Sequence, residues 1–282
     1  VGNITLTSNG LGDIFVAKLD SSGNWLWAKK AGGTSNDYGY GIATDSSGNS
    51  YITGYFSSAP ASFGTINLTS SGGDNIFVAK LDSSGNWLWV KQAGGTGFNF
   101  SQSIATNSYG NSYITGLFEE TVSFGTTTLT SSGSYDIFVA KLDSDGNWLW
   151  AKQAGGTGLD WGNGIATKSS GNSYVTGKFQ GTASFGSTTL TSSGNADIFV
   201  AKLDSSGNWL WAQKAGSISG DCGYGIAIDS SGNIYVTGIF SYNASFGSTT
   251  LTSSGWYDIF VAKLDSDGNW LWAKTAGGTG ND

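Results

Sequence analysis

The hexapeptide IFVAKL begins at Ile14 and begins again at Ile76, Ile137, Ile198 and Ile259, at steps of 62, 61, 61 and 61 residues. A second motif, GIATDSSGNSYITG at 41–54, returns in close variants at 103–116, 164–177 and 225–238. A chain that copies itself at so regular a period is built from equal supersecondary units, each burying its apolar face on its neighbour. The single extra residue falls between Gly54 and Phe63, beside the only proline, Pro60, which marks an irregular loop.

Each unit reads as β-structure. DIFVAKLD (13–20) and NWLWAKKAG (24–32) alternate with a period of two, and GIATD (41–45) and NSYITGYF (49–56) are rich in β-branched and aromatic residues. The joins are SSGN at 21–24 and 46–49, where a glycine supplies the positive φ of a short hairpin turn. The spacing predicts four antiparallel strands per unit, with an insert such as ASFGTINLTSSGG (61–73) forming an added hairpin. Four-stranded sheets repeated radially make a β-propeller. The expectation is an all-β chain, one domain over 1–282, with about 61 residues per blade. A β-solenoid is the rival, but solenoid coils are shorter and lack two tight hairpins per unit.

GIATDSSGNSYITG together with DIFVAKLDSSGNWLW resembles the SBBP-type β-propeller repeat of large bacterial cell-surface and secreted proteins. The resemblance covers nearly the whole chain and implies an extracellular or cell-surface protein. That family carries no agreed catalytic motif, so it implies no catalytic residues.

Naming the strands A (41–45), B (49–56), C (13–20) and D (25–32), with A nearest the axis, gives five C–D pairs but four A–B pairs. Val1 aligns with Phe63 and its counterparts. A ring lacking one A–B hairpin would leave open edges. The chain is therefore expected to be part of a longer array, a five-bladed ring whose last part lies outside this sequence, or a head-to-tail assembly. A start at Val1 with no signal peptide reads as a mature or excised segment.

Charge excludes one class of partner. Twenty acids face 13 lysines with no arginine or histidine, a net −7, whereas nucleic-acid binding wants a basic face. No apolar run approaches the roughly 20 residues that would span a bilayer. Cys222 stands alone, which removes disulfides and a thiolate zinc site.

Differences between the copies fall in three places. The D-to-A connection reads TSNDYGY (34–40), TGFNFSQ (96–102), TGLDWGN (157–163) and ISGDCGY (218–224). The segment after strand B reads SSAPA, EETV, QGTA and SYNA, and the pair before strand C runs from Leu11-Gly12 to Trp256-Tyr257. In a four-stranded antiparallel blade all three emerge on one face, and the SSGN turns emerge on the other. Loops on a rigid scaffold are where binding concentrates. The candidate ligand-binding residues are Asp37, Tyr38, Tyr40, Asn99, Phe100, Asp160, Trp161, Asp221, Tyr224, Tyr135, Trp256 and Tyr257. Aromatic faces beside carboxylate or amide acceptors suit a neutral glycan or a protein hot spot. The competing reading is that these rings pack between blades and the Asp caps a turn.

Other chemistry finds less support. Asp20, Asp82, Asp143, Asp204 and Asp265 open DSSGN or DSDGN turns, which an Asx turn explains more simply than calcium. Trp25 and Trp27, with their counterparts, are expected to pack blade on blade, and Lys18 to snorkel or pair. No histidine is available for a triad, and Glu119 and Glu120 adjoin each other rather than flank a cleft. The expectation is a non-enzymatic extracellular scaffold, structural or adhesive. A multivalent lectin-like binder is the alternative and a glycan-active hydrolase the remote one. Expected partners are a glycan, another surface protein, copies of itself or adjacent repeats, with no nucleic acid, no membrane insertion, no cofactor and no metal.

Overall fold

The computed structural model describes residues 4–70 and 72–282. The register proposed for Val1 lies outside them. Twenty-six strands make up the described secondary structure, with no helix among the described residues.

Four complete blades share one strand order, A-B-C-D, all antiparallel. In the second blade these are Asp37–Thr44, Ser50–Phe56, Asn75–Leu81 and Trp87–Ala93. The third has Asn99–Thr106, Ser112–Phe118, Asp136–Leu142 and Trp148–Gly156. The fourth has Trp161–Thr167, Ser173–Phe179, Asp197–Leu203 and Trp209–Ala215. The fifth has Cys222–Ile228, Ile234–Phe240, Asp258–Leu264 and Trp270–Ala276. Of the first blade the described residues hold strands C and D, Ile14–Leu19 and Trp25–Ala31. The architecture is a propeller-like array of four-stranded blades, and the A strands of successive blades lie side by side.

Strand A is longer than its sequence signal. Asp37–Tyr40, expected in a loop, pairs with strand B at Asp37↔Phe56 and Tyr38↔Tyr55, and a bulge between Gly39 and Gly41 restores the register. Two glycines and two tyrosines hide the period of two there, and the bulge breaks what remains of it.

The inserts are hairpins, as the spacing predicts: Ala61–Phe63 with Ile66–Leu68, and Thr121–Phe124 with Thr127–Thr130, for example. Each hydrogen-bonds the preceding blade, as in Gly32 N–H to the Ser62 carbonyl at 3.1 Å and its return bond at 2.9 Å. The hairpin phenylalanines Phe63, Phe124, Phe185 and Phe246 are sealed between blades.

The paired tryptophans do not share one task. A bulge sets Trp89 opposite Lys80 and Trp87 opposite Leu81, leaving Leu88 between them half exposed. Trp87 meets Phe63 edge-on at 5.3 Å, so it grips its own blade's hairpin. Trp89 reaches forward and donates its Nε1–H to the Ser144 carbonyl in the next blade's C–D turn, 3.1 Å away. Lys80 donates to the same carbonyl at 3.3 Å, with its Nζ 4.9 Å from the Tyr51 ring centroid. Blade-on-blade packing thus describes Trp27, Trp89, Trp150 and Trp211, which lie on the turn glycine of the next blade. Trp87, Trp148, Trp209 and Trp270 instead meet a hairpin phenylalanine, and Trp209 also donates its Nε1–H to the Gln153 carbonyl of the preceding blade at 3.2 Å.

The C–D turns are Asx turns. Asp82 Oδ1 accepts from the Ser84 and Asn86 N–H groups at 2.9 Å each, and Oδ2 from Asn86 Nδ2 at 2.8 Å. Asp20, Asp143, Asp204 and Asp265 repeat the pattern. Hydrogen bonds from Asn24 hold the Asp20 carboxyl below the usual carboxylate range, and those from Asn86 do the same for Asp82.

Candidate functional site: the variable-loop face

The three variable places meet. The Asp160 N–H donates to the Tyr135 carbonyl at 2.9 Å, joining the D-to-A connection to the pair before strand C. The Glu119 N–H donates to the Phe98 carbonyl at 3.1 Å, and Gln180 Nε2 to Asn195 Oδ1 at 2.8 Å, which brings in the segment after strand B. The copies therefore differ from one another across one continuous surface.

The expected site residues separate by depth. Asp37, Asn99, Asp160 and Asp221 are not on that surface: each is at most 1 % exposed. Their carboxyls and amide tie the connections from beneath. Asp160 Oδ2 accepts from the Gly156 N–H at 2.7 Å and Oδ1 from the Gln180 N–H at 3.0 Å. Asp221 does the same with Ser217 and Ser241, and Asp37 with Gly33 and Ser57. Burial, partly offset by these bonds, raises the Asp160 and Asp221 carboxyls above the usual range. These four residues shape the loops and do not face a ligand.

The rings lie above them. Tyr38, Tyr40, Tyr224 and Trp256 are exposed, and Phe100, Trp161, Tyr135 and Tyr257 are half buried. Tyr38, Tyr40 and Tyr55 cluster at centroid distances of 5.4–6.4 Å. Lys178 Nζ sits 4.3 Å from the Trp161 ring centroid, a cation–π contact. Beside it a groove of about 410 Å³ runs between the fourth and fifth blades, bordered by Leu159, Gln180, Asn195, Tyr224 and Tyr257. Its floor is Cys222, whose thiol burial pushes up to about 11; Asn163 Nδ2 lies 3.1 Å from the sulfur. A protonated thiol is a packing group and not a nucleophile.

One set of residues escaped the sequence reading. Asp13, Asp136, Asp197 and Asp258 open strand C, and the last three are at most 1 % exposed. Asp136 Oδ2 accepts from the Ser132 N–H at 3.1 Å, while its buried Oδ1 has no hydrogen-bond partner among the described residues. A Cβ placed on Gly155 would lie 2.8 Å from Asp136 Oδ1 and 2.9 Å from Asp160 Oδ2, so the two carboxyls flank one backbone carbon. Gly155, at φ +146, is thus held to glycine by conformation and by space. Burial and then the neighbouring Asp160 raise the Asp136 carboxyl to about 6. The signal was present in the sequence: where the second copy has Asn75 for this Asp, it also has Asn99 for the other.

The fold and this face define a class, a non-helical array of propeller blades with one constant and one variable face. Three segments, residues 26–55, 149–178 and 210–238, match the SBBP family, described as a β-propeller repeat, and the chain carries such repeats. Among curated proteins it is similar to a WD repeat-containing protein of Acanthamoeba polyphaga mimivirus, 25% identical over 90% of this chain and 23% of that one. It is also similar to Regulatory protein FlaEY of Caulobacter vibrioides, 28% identical over 97% of this chain and 31% of that one. The chain thus spans less than a third of the length of these relatives. A solved protein of unknown function from Bacteroides caccae matches at 11% identity and a TM-score of 0.42, covering 90% of this chain and 87% of that one.

Proposed function

We propose that the chain is a non-enzymatic, extracellular scaffold of the bacterial cell-surface type, structural or adhesive, that presents its variable loops on one face. The observation that carries this reading is the contrast between faces. The Asp-anchored C–D turns recur on one side in every copy, while the rings and loop residues on the other differ from copy to copy on a shared buried Asp or Asn base. That is the pattern of a rigid frame carrying exchangeable contacts. Labelling intact cells with antibody against this chain, alongside lysed cells, tests the location; signal only after lysis would remove it. Adhesion of coated beads to cells or matrix, repeated with the loops 96–102 and 157–163 exchanged, tests the role. Unchanged adhesion after exchange would assign it elsewhere.

A second reading rests on the groove beside Lys178 and Trp161, where exposed rings and the amides Gln180 and Asn195 offer stacking and hydrogen bonding to a sugar. Weak sites of this kind gain through multivalency. A glycan array read with the wild type and Tyr224→Ala tests it: signal lost in the variant supports it, and a flat array refutes it.

A further inference from the structure

The fourth and fifth blades meet across a gap that side chains fill at the two junctions before it. Between the second and third blades Phe100 meets Tyr55 edge-on, ring centroids 4.5 Å apart. Between the third and fourth, Trp161 holds the slot of Phe100, and Leu117, the counterpart of Tyr55, is buried. Between the fourth and fifth, the same two slots hold Cys222 and Lys178. Two residues earlier, Gly220 stands where the other copies have Asn36, Phe98, Leu159 and Asn281. Nothing in the fold demands that glycine. Its φ lies outside the left-handed region, and a Cβ placed on it would meet only the Tyr257 hydroxyl at 3.8 Å and Asn195 Nδ2 at 4.0 Å. Both slots take their smallest side chain in one copy, and the space so left is the groove of about 410 Å³. That is the size of a small-ligand site.

The groove has one charged wall. Lys178 stands where the other blades have Tyr55, Leu117 and Ile239. Its ammonium rests on the Trp161 ring, has no carboxylate partner and donates no hydrogen bond among the described residues. The strand-C lysines Lys18, Lys80, Lys141 and Lys202, by contrast, each donate to a serine carbonyl. The acid on the border, Asp221, is buried, and its two oxygens accept from the Ser217 and Ser241 N–H groups. Across the groove, the bond from Gln180 Nε2 to Asn195 Oδ1 leaves Asn195 Nδ2 as a donor and Gln180 Oε1 as an acceptor.

Resting on the carbohydrate reading of this groove given above, we infer that its ligand is a carboxylated sugar, a uronic-acid residue of an acidic glycan, with the carboxylate on Lys178. A single ammonium, with no arginine fork beside it, suits one negative charge better than a phosphate. The amide donor and acceptor and the Tyr257 hydroxyl suit sugar hydroxyls, and the exposed Tyr224 ring suits the apolar face of a pyranose. Because Tyr55, Leu117 and Ile239 carry no charge, the site belongs to this junction and is not repeated blade by blade.

The test titrates the whole chain with methyl glucuronide and methyl glucoside, which differ by a carboxylate in place of a hydroxymethyl group. Calorimetry gives affinity and amide NMR shifts give location. The expected result is one-to-one binding of the glucuronide, about 10-fold tighter than the glucoside, with shifts at Gly220 and Tyr224. Lys178→Gln is expected to remove the preference and leave glucoside binding unchanged. Gly220→Ala, which adds a methyl without strain, is expected to weaken both glycosides with an unchanged unfolding midpoint. Equal affinity for the two glycosides, or a preference that survives Lys178→Gln, overturns the acidic assignment and leaves the carbohydrate reading intact. Sodium acetate that displaces the glucuronide at equal concentration also overturns it, because the groove would then hold an anion without reading a sugar. Undiminished binding in Gly220→Ala puts the sugar outside the groove and overturns it too. A flat titration with both glycosides removes the assignment and the carbohydrate reading together.

Discussion

Aspartate builds both faces of the array, in opposite ways. On the constant face Asp82 is partly exposed and held by three hydrogen-bond donors, which stabilise its charged form and lower its pKa. On the variable face Asp136 and Asp160 are sealed from water side by side, and burial raises both. The first arrangement fixes a turn locally and tolerates neighbours of any kind. The second couples two segments 24 residues apart, and both members of the pair differ together in the second copy, as Asn75 and Asn99. What varies on that face therefore rests on a base whose members are not independent.

The contrast breaks most visibly if Asp160 is truncated. Asp160→Ala leaves the part-buried Gly156 and Gln180 N–H groups without their acceptor and is expected to cost about 2 kcal/mol in urea unfolding. A loss no larger than that of Asp82→Ala would erase the distinction between the faces.

Next in size is the pH dependence. The Asp136 carboxyl is raised to about 6 in the fold, from an unfolded value of about 3.9. Its contribution is fully present below about pH 4 and is lost as pH rises through about 6, on the order of 2 kcal/mol. The lowered turn carboxylates, Asp20 and Asp82 among them, act oppositely: their contribution is present above about pH 4 and lost in acid. Urea midpoints are expected to peak between these limits and to fall toward neutrality. A profile still rising from pH 5 to 7 would contradict the buried pair.

Smaller again is the double change Asp136→Asn with Asp160→Asn, which copies the second junction. It is expected to cost less than the two single changes together, with a coupling of about 1 kcal/mol, and to flatten the decline from pH 4 to 6. A double-mutant cycle that closes to zero would separate the two residues. Smallest is Asp82→Ala, expected to move the midpoint slightly with an unchanged slope and no effect on the pH 4–6 segment.

The period, the strand order and the Asx turns were legible in the sequence because each depends on local pattern: alternation, a turn glycine, an Asp two and four residues before its donors. The depth of Asp37 and Asp160 was not. Both stand beside an aromatic residue in a polar stretch, which reads as surface; the added length of strand A, which begins at Asp37 in one copy and directly after Asp160 in another, carries them under the connection. The division between Trp87 and Trp89 was likewise hidden, because strict alternation places both on one face and only the bulge opposite Lys80 and Leu81 separates their partners. The Asp136–Asp160 pairing could have been found by asking which differences between copies occur together.

The forward clamp has a consequence for the gene as much as for the protein. Trp27, Trp89 and Trp150 close on a serine carbonyl of the following blade, Ser83, Ser144 and Ser205, and at the fourth joint Lys202 reaches the Ser266 carbonyl at 3.0 Å while Trp211 packs on the turn glycine without that bond. Crossing-over between two copies would delete or add a whole blade in frame and rebuild the same joint at the seam. Blade number can then change by whole units at such a joint, with the loops of strand B and strand C travelling with their blade, while the buried pair beneath each D-to-A connection, Asp136 with Asp160 or Asn75 with Asn99, is the part of the seam that must be matched.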